Sequence, residues 1–206
     1  MTTRIEAICS LVERCETLAD VGCDHGFVAS YAHSIGCKEV IASDISETSV
    51  EKAKLAFSDL EGVSFVVSDG FTAIKKKVDF AVIAGMGGKK IAEILQTANY
   101  LVPTLVLGPQ HDADFLREYL ILQGYYIDAD FMAEERGKYY SFIRARLGKK
   151  QTIDDIQRLY GVYYKDKNPV LKEFALKQRE NLLRFASTEK NAKLLTATEE
   201  VLKWQR

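Results

Sequence analysis

The stretch LADVGCDHG at residues 18–26 decides the predicted fold, because an apolar strand there runs into a glycine-containing turn before a helix that begins near Phe27. Gly22 lets the backbone approach a bound molecule, and the helix start offers unpaired N–H groups to a ligand. The turn is not a dinucleotide-binding fingerprint, since Gly-x-Gly-x-x-Gly would need glycine where Asp24 and Phe27 stand. The carboxylate of Asp24 would also repel a pyrophosphate. The stretch therefore predicts a site for a ligand without phosphate groups.

Short apolar, β-rich runs recur along the chain with helical patterns between them. That alternation is typical of βαβ units and predicts a parallel sheet with helices on both faces. The predicted strands are residues 17–21, 39–43, 63–67, 78–84 and 104–107.

The end of the sheet is predicted to be an antiparallel hairpin. After a helix at 115–122, strands at 125–132 and 139–145 follow each other directly, separated by the charged turn 134–137. Five βα units ending in a hairpin are the arrangement of the seven-stranded methyltransferase sheet, whereas dehydrogenase domains normally continue with another parallel strand. By analogy of fold, this favours an α/β, Rossmann-like class I methyltransferase sheet.

The composition bounds the domain organisation and the compartment. The chain has 206 residues, of which 47% are hydrophobic and 28% charged, enough for one main core and an appendage. It contains no uninterrupted apolar run of about 18 residues, and its beginning lacks the basic-then-apolar order of a secretory signal. We therefore expect a soluble cytoplasmic protein without a membrane partner.

The four cysteines indicate neither disulfides nor a metal site. They lie in the first fifth of the chain, with no Cys-x-x-Cys pair and no histidine at zinc-ligand spacing, so we expect reduced thiols. Cys23, Asp24 and His25 are adjacent, but neighbouring side chains in a tight turn diverge. We predict that the protein binds no metal.

The last quarter of the chain is predicted to be helical. Strand signals stop at Lys149, and Thr152 with Asp155 reads as a helix-starting capping pair. Asn168-Pro169 is a second helix start, followed by an apolar stripe at helical spacing from Leu171 to Ala186. We predict a methyltransferase-type domain at 1–148 and a coiled-coil-like helical extension at 149–206.

The two parts differ in charge. Residues 1–148 carry 15 Lys and Arg against 21 Asp and Glu, a net charge of −6, whereas residues 149–206 carry 13 against 8, a net charge of +5. A polyanionic partner would therefore be attracted to the extension and repelled by the rest of the chain. The alternative is that a helical appendage is rich in lysine because lysine favours helices.

Acidic residues are predicted at successive strand ends. Asp20 and Asp24 flank the first turn, Asp44 with Ile45 ends the second strand, and Asp69-Gly70 follows the third. S-adenosylmethionine has no phosphate and carries a sulfonium and an ammonium group, so acids around its site are expected. Asp44 would grip the ribose hydroxyls and Asp69 would lie beside the adenine. Each acid alone could instead be a helix cap or turn former.

The fourth strand ends in the small residues Gly85-Met86-Gly87-Gly88. Many amino-directed methyltransferases carry an (Asn/Asp)-Pro-Pro-aromatic motif there, which polarises an exocyclic amine. Its absence favours a nucleophile with an accessible ring lone pair and a bulky substrate near the backbone. The alternative is a glycine-rich turn in which Met86 only packs.

In three segments the chain resembles the bacterial tRNA (adenine-22)-N1-methyltransferases: 19–25, where the family has Asp-x-Gly-x-Asp-His, 84–88, and 134–140 with its Glu-Glu-x-Gly-Lys-x-Tyr pattern. The resemblance covers roughly residues 1–146. It implies Asp24 as the catalytic residue and a cofactor site at Gly22, Asp44, Asp69, Gly85 and Met86. The chain departs from the family at Gln110, where the family commonly shows Gln-Pro-Asn.

The expected function is methylation of N1 of adenine-22 in tRNA with S-adenosylmethionine as cofactor, by a monomer. Two alternatives remain open: a small-molecule methyltransferase on the same sheet, and a non-catalytic RNA-binding module. Candidate substrate contacts lie around the turns and on the basic extension: His25, Gly87, Gln110, Lys149, Lys150, Arg158, Lys177, Arg179 and Arg184.

Overall fold

The computed structural model describes residues 3–184 and 188–206. In this part of the chain a seven-stranded sheet has the order β3-β2-β1-β4-β5-β7-β6, and only the pairs made by β7 are antiparallel. The predicted methyltransferase-type fold is confirmed. The strands are β1 Thr17–Val21, β2 Glu39–Asp44, β3 Val63–Val67, β4 Phe80–Met86, β5 Thr104–Pro109, β6 Tyr125–Glu135 and β7 Lys138–Leu147. The sheet helices are α1 Thr3–Cys9, α2 Phe27–Ser34, α3 Glu47–Phe57, α4 Gly88–Gln96 and α5 Ala113–Leu122.

Several predicted strand bounds needed correction: β2, β4 and β5 end at Asp44, Met86 and Pro109, one or two residues later than predicted. β4 begins at Phe80 rather than Val78, because the Val78 N–H donates to the Tyr100 hydroxyl at 2.7 Å instead of joining a strand ladder. The hairpin is longer than predicted, since only Arg136 and Gly137 form the turn. Both have positive φ, 55° and 79°, as a two-residue turn matched to the twist of the strands requires.

Helices cover both faces of the sheet, as predicted. One apolar core contains Ile91 of α4 and Leu116 of α5, and the other contains Ile8 of α1 and Ala29 of α2. The strands between these cores are buried on both sides: all residues of β1 are buried, as are those of β5. Because β1 to β5 are parallel, their carboxyl ends lie together at one edge of the sheet.

The extension forms α6 Asp155–Tyr160, α7 Pro169–Arg184 and α8 Glu189–Trp204. The first capping prediction was wrong: Asp154, not Thr152, caps α6 and forms a capping box with Gln157. The second was right, because Asn168 Oδ1 accepts hydrogen bonds from the first turn of α7. α7 and α8 pack around the buried residues Leu171, Ala175, Ala197 and Val201. Phe185 and Ala186 of the predicted stripe lie outside the described residues.

A buried ion pair joins the extension to the sheet. Arg117 of α5 makes two hydrogen bonds to the Asp130 carboxylate, at 2.8 and 2.9 Å, and both side chains are 1% exposed. Arg117 also donates to the backbone oxygen of Arg158, and Asp130 accepts the N–H of Val162. The segment around α6 is thereby fixed to α5 and β6. No described helix is long and apolar enough to cross a membrane.

Candidate active site

A cavity of about 450 Å³ opens at the edge of the sheet where β1, β2 and β4 end. It contains most of the residues that the sequence pointed to, brought together from different turns. The predicted residues that line it are Asp20, Gly22, Asp24, His25, Asp44, Ile45, Asp69, Gly70, Gly85, Met86 and Gln110.

The turn after β1 is fixed by backbone hydrogen bonds to the neighbouring strand. The N–H groups of Gly22 and Cys23 both donate to the Ser43 carbonyl, at 2.8 and 2.9 Å, which ties the turn to β2. Gly22 has φ 82°, and a Cβ there would lie 2.5 Å from Cε of Met86. Glycine at this position therefore lets the Met86 side chain of the β4 turn pack closely on the β1 turn.

Asp24 lies at the mouth of the cavity. Its backbone is in the left-handed region, with φ 46°, which aspartate tolerates better than most residues. Its side chain is 66% exposed, and Oδ2 lies 2.8 Å from Nδ1 of His25. The His25 ring in turn stacks on Phe27. This places an accessible carboxylate beside the space that a substrate would enter.

Asp44, at the end of β2, makes a hydrogen bond to the turn that contains Asp24. Oδ2 accepts the N–H of Asp24 at 3.2 Å, and Oδ1 accepts the N–H of Ser46 at 2.9 Å. Each carboxylate oxygen has two lone pairs, so acceptor capacity remains for hydroxyl groups of a ligand. Ile45 beside it is 69% exposed and offers an apolar surface at the cavity rim.

Asp20 lies below the turn and is almost completely buried. Its Oδ2 accepts the N–H of Ala29 in the first turn of α2 at 3.1 Å. Burial raises the pKa of Asp20 to about 7, opposed by the Ala29 hydrogen bond and assisted by the negative charge of Asp44. We expected this carboxylate to bind the cofactor. It lines the cavity, but it accepts a hydrogen bond from α2 and so connects the end of β1 to that helix.

The third and fourth strand ends complete the cavity. Asp69 and Gly70 line the cavity; Gly70 has φ 57°, and a Cβ there would lie 2.4 Å from Thr97 Oγ1, so glycine lets this turn pack against the end of α4. Gly85 has φ 83° and faces open space. The N–H of Gln110 donates to the Met86 carbonyl at 2.8 Å, which joins the ends of β4 and β5.

Gly87 lies beside the cavity rather than in its lining. A Cβ on Gly87 would lie 2.3 Å from Cε1 of His111, and one on Gly88 would lie 2.2 Å from the Asp112 carbonyl oxygen. Gly88 is therefore needed for the close packing of the β4 turn against the β5 turn, whereas a side chain at Gly87 would displace the exposed His111 ring. Any contact of Gly87 with a substrate would be made through its backbone.

Sequence reasoning missed one wall of the cavity. Arg4, Ile5 and Ile8 of α1, with Tyr140 and Phe142 of β7, line the side opposite Asp69 and Ile94. α1 has only seven residues and no motif, so no periodicity signalled it. Tyr140 did belong to a matched segment, but nothing in the sequence showed that its side chain faces the cavity.

None of the predicted cations of the extension lines the cavity. Lys149 lies 5.0 Å from the Tyr126 ring, and Lys177 pairs with Glu173. Arg158 is held by Asp114 and Asp155, at 3.3 and 3.4 Å. Nε of Arg179 is buried without a hydrogen-bond partner. Lys150 and Arg184 are exposed.

The residues of the cavity fit S-adenosylmethionine. Three carboxylates, those of Asp24, Asp44 and Asp69, suit its sulfonium, ammonium and ribose hydroxyl groups, whereas the Asp20 carboxylate is engaged with α2. Among the described residues no group of three or more histidine, cysteine, aspartate or glutamate side chains could hold a metal ion.

Comparison with known proteins identifies the family of the chain. The family model described as "Methyltransferase domain" matches residues 1–143. The tRNA (adenine(22)-N(1))-methyltransferase of Bacillus subtilis is 30% identical over 165 residues, covering 75% of this chain and 68% of that protein.

Two crystal structures match over almost the whole chain. The B. subtilis m1A22 tRNA methyltransferase is 26% identical with a TM-score of 0.80, covering 100% of this chain and 97% of that one. A Streptococcus pneumoniae protein in complex with S-adenosyl-L-methionine is 27% identical with a TM-score of 0.87, covering 98% and 99%. The chain therefore belongs to the methyltransferase-domain family and, within it, to the bacterial tRNA (adenine-22)-N1-methyltransferases.

Proposed function

We propose that the protein methylates N1 of adenine-22 in tRNA, with S-adenosylmethionine as the methyl donor. The observation that carries this proposal is the accessible carboxylate of Asp24, at the mouth of a cavity whose acidic residues suit that cofactor. When bound, S-adenosylmethionine supplies a methyl group activated by its sulfonium. The cofactor would be held by the residues at the strand ends: Gly22, Asp44, Ile45, Asp69, Gly70, Gly85 and Met86.

Asp24 would act on the 6-amino group of the target adenine. Alkylation at N1 places positive charge on the ring, which makes the amino hydrogens better donors. A carboxylate that accepts one of these hydrogen bonds stabilises the charge and can take the proton afterwards, a role worth about 100- to 10,000-fold in rate. The hydrogen bond from the Asp24 backbone N–H to Asp44 fixes the backbone that carries this carboxylate.

The turn after β4 would admit the base rather than activate it. Gly85 and Gly87 present backbone, and Met86 an apolar side chain, where amino-directed enzymes hold a polar motif. N1 of adenine has an in-plane lone pair and needs no such activation. The base would have to leave its stacked or paired position in the tRNA to reach the cavity, with Gln110 and His25 at the rim as contacts.

The extension at 149–206 would bind the tRNA backbone. Its support is the net charge of +5 and the exposure of Lys149, Lys150 and Arg184; Lys177 is also exposed but already pairs with Glu173. Arg158 and Arg179 would contribute less, because Arg158 is already in ion pairs and Arg179 is partly buried. We expect salt-sensitive binding by a monomer working in the cytoplasm, where tRNA is found.

Methyl incorporation into unmodified tRNA tests this function. Transcripts with adenine or guanine at position 22 are incubated with the enzyme and labelled S-adenosylmethionine, then digested for nucleoside mass analysis. We expect 1-methyladenosine only from the adenine-22 transcript. Methylation of free nucleosides but not of tRNA would favour a small-molecule methyltransferase, and cofactor binding without any transfer would favour a non-catalytic module.

A further inference from the structure

Arg4 of α1 occupies a position in the cavity that the mechanism above does not use. Its guanidinium lies 4.8 Å from the centroid of the Tyr140 ring, and its backbone N–H donates to the Glu135 carboxylate at 3.3 Å. The side chain is half-buried and lines the cavity. Within residues 3–184 and 188–206 it makes no ion pair. Among these residues the Arg4 guanidinium therefore contacts an aromatic ring but no carboxylate.

The charge of the cavity makes this cation unusual. Asp20, Asp24, Asp44 and Asp69 line the space, and Arg4 and Lys90 are the only lysine or arginine among the described lining residues. Lys90 already has Glu93 at 3.4 Å. It also lies on α4, whose Ile94 packs near Gly70, on the side of Asp69. Arg4 lies on the opposite wall, made by α1 and β7.

The cofactor has one negatively charged group, and Arg4 is the cation in the cavity that could face it. S-adenosylmethionine carries one carboxylate, at the end of its methionyl part, and in an acidic cavity that group is repelled unless a cation faces it. Guanidinium is the side chain best suited to a carboxylate, because its planar fork can make two parallel hydrogen bonds.

We propose that Arg4 binds the methionyl carboxylate of S-adenosylmethionine, and that Tyr140 positions the guanidinium by stacking on it. α1 is then a cofactor-binding element, and the order of the bound ligand follows: methionyl end towards α1, adenine towards Asp69 and α4. The inference rests on the cofactor assignment in the proposed function but not on the identity of the methyl acceptor.

Calorimetric titration in the absence of tRNA tests the proposal on the whole protein. Two ligands are compared: S-adenosylhomocysteine and its decarboxylated analogue, S-adenosyl-3-thiopropylamine, which lacks only the carboxylate. Arg4→Gln should weaken S-adenosylhomocysteine about 10- to 100-fold, the range for losing a hydrogen bond to a charged group, and leave the analogue unchanged. Arg4→Lys should restore part of the loss.

Three further variants separate the roles. Arg14→Gln removes the same charge from an exposed position outside the cavity and should change neither affinity. Tyr140→Phe keeps the stacking ring and Tyr140→Leu removes it, so the leucine variant should weaken S-adenosylhomocysteine several-fold more than the phenylalanine variant does, and the analogue less.

Equal weakening of both ligands by Arg4→Gln and Arg4→Lys, or no weakening of either, would overturn the proposal. Wild-type protein that binds neither ligand would contradict the cofactor assignment itself, and that outcome is distinct from failure of the Arg4 proposal.

Discussion

The burial of Asp20 predicts a specific pH dependence of stability. Its carboxylate is 4% exposed, and its pKa rises from an ordinary value of 3.8 to about 7. Between these two pH values the folded protein binds more protons at this site than the unfolded chain, so stability falls as pH rises. The interval of about three units, at about 1.4 kcal/mol each, corresponds to about 4 kcal/mol.

Urea unfolding of the wild type and of Asp20→Asn at pH 4 to 8 measures this effect. The free energy of unfolding of Asp20→Asn minus that of the wild type should increase by about 4 kcal/mol from pH 4 to pH 8, because the variant has nothing to ionise. Any constant cost of the buried amide cancels in this comparison. A difference that stays flat across the range would refute the assignment of a raised pKa to Asp20.

Three other perturbations follow from the contacts described above. Arg117→Met should lower the free energy of unfolding by about 3–5 kcal/mol, because it leaves Asp130 charged and buried, and adding Asp130→Asn should recover part of that loss in urea unfolding. Gly22→Ala should cost about 1–3 kcal/mol through backbone strain at φ 82° and should weaken S-adenosylhomocysteine in calorimetric titration. Lys150→Gln and Arg184→Gln should each reduce the slope of log affinity for tRNA against log salt by about 1, in filter binding; unchanged slopes would contradict a role for the extension in binding.

The sheet could be predicted from sequence because its strands are short apolar runs separated by helical patterns. Residues 17–21 and 63–67 form strands with the predicted ends. The errors came from contacts between distant parts of the chain. Val78 leaves the ladder because Tyr100 takes its N–H, and both Thr152 and Asp154 are good capping residues that only the path of the chain distinguishes.

The acidic half of the site was predictable for a geometric reason. Parallel strands end at one edge, so Asp24, Asp44 and Asp69 had to lie near each other once the strands were assigned. The wall made by Arg4 and Tyr140 was not predictable, because it joins the start of the chain to a strand on the far side of the sheet. Nor could the sequence show that the carboxylate of Asp20 accepts a hydrogen bond from the N–H of Ala29 in α2.

The central claim, that Asp24 acts on the 6-amino group of the target adenine, is tested most directly by single-turnover methyl transfer. Wild type and Asp24→Asn are compared on tRNA carrying adenine or purine at position 22, since purine keeps N1 and lacks the amino group. Asparagine suits the left-handed backbone at this position, so the fold and the affinity for S-adenosylhomocysteine should persist.

The account predicts that Asp24→Asn slows transfer to adenine about 100-fold or more and has little further effect on purine. An equal loss of rate on both bases, or near-normal transfer to adenine by the variant, would contradict it.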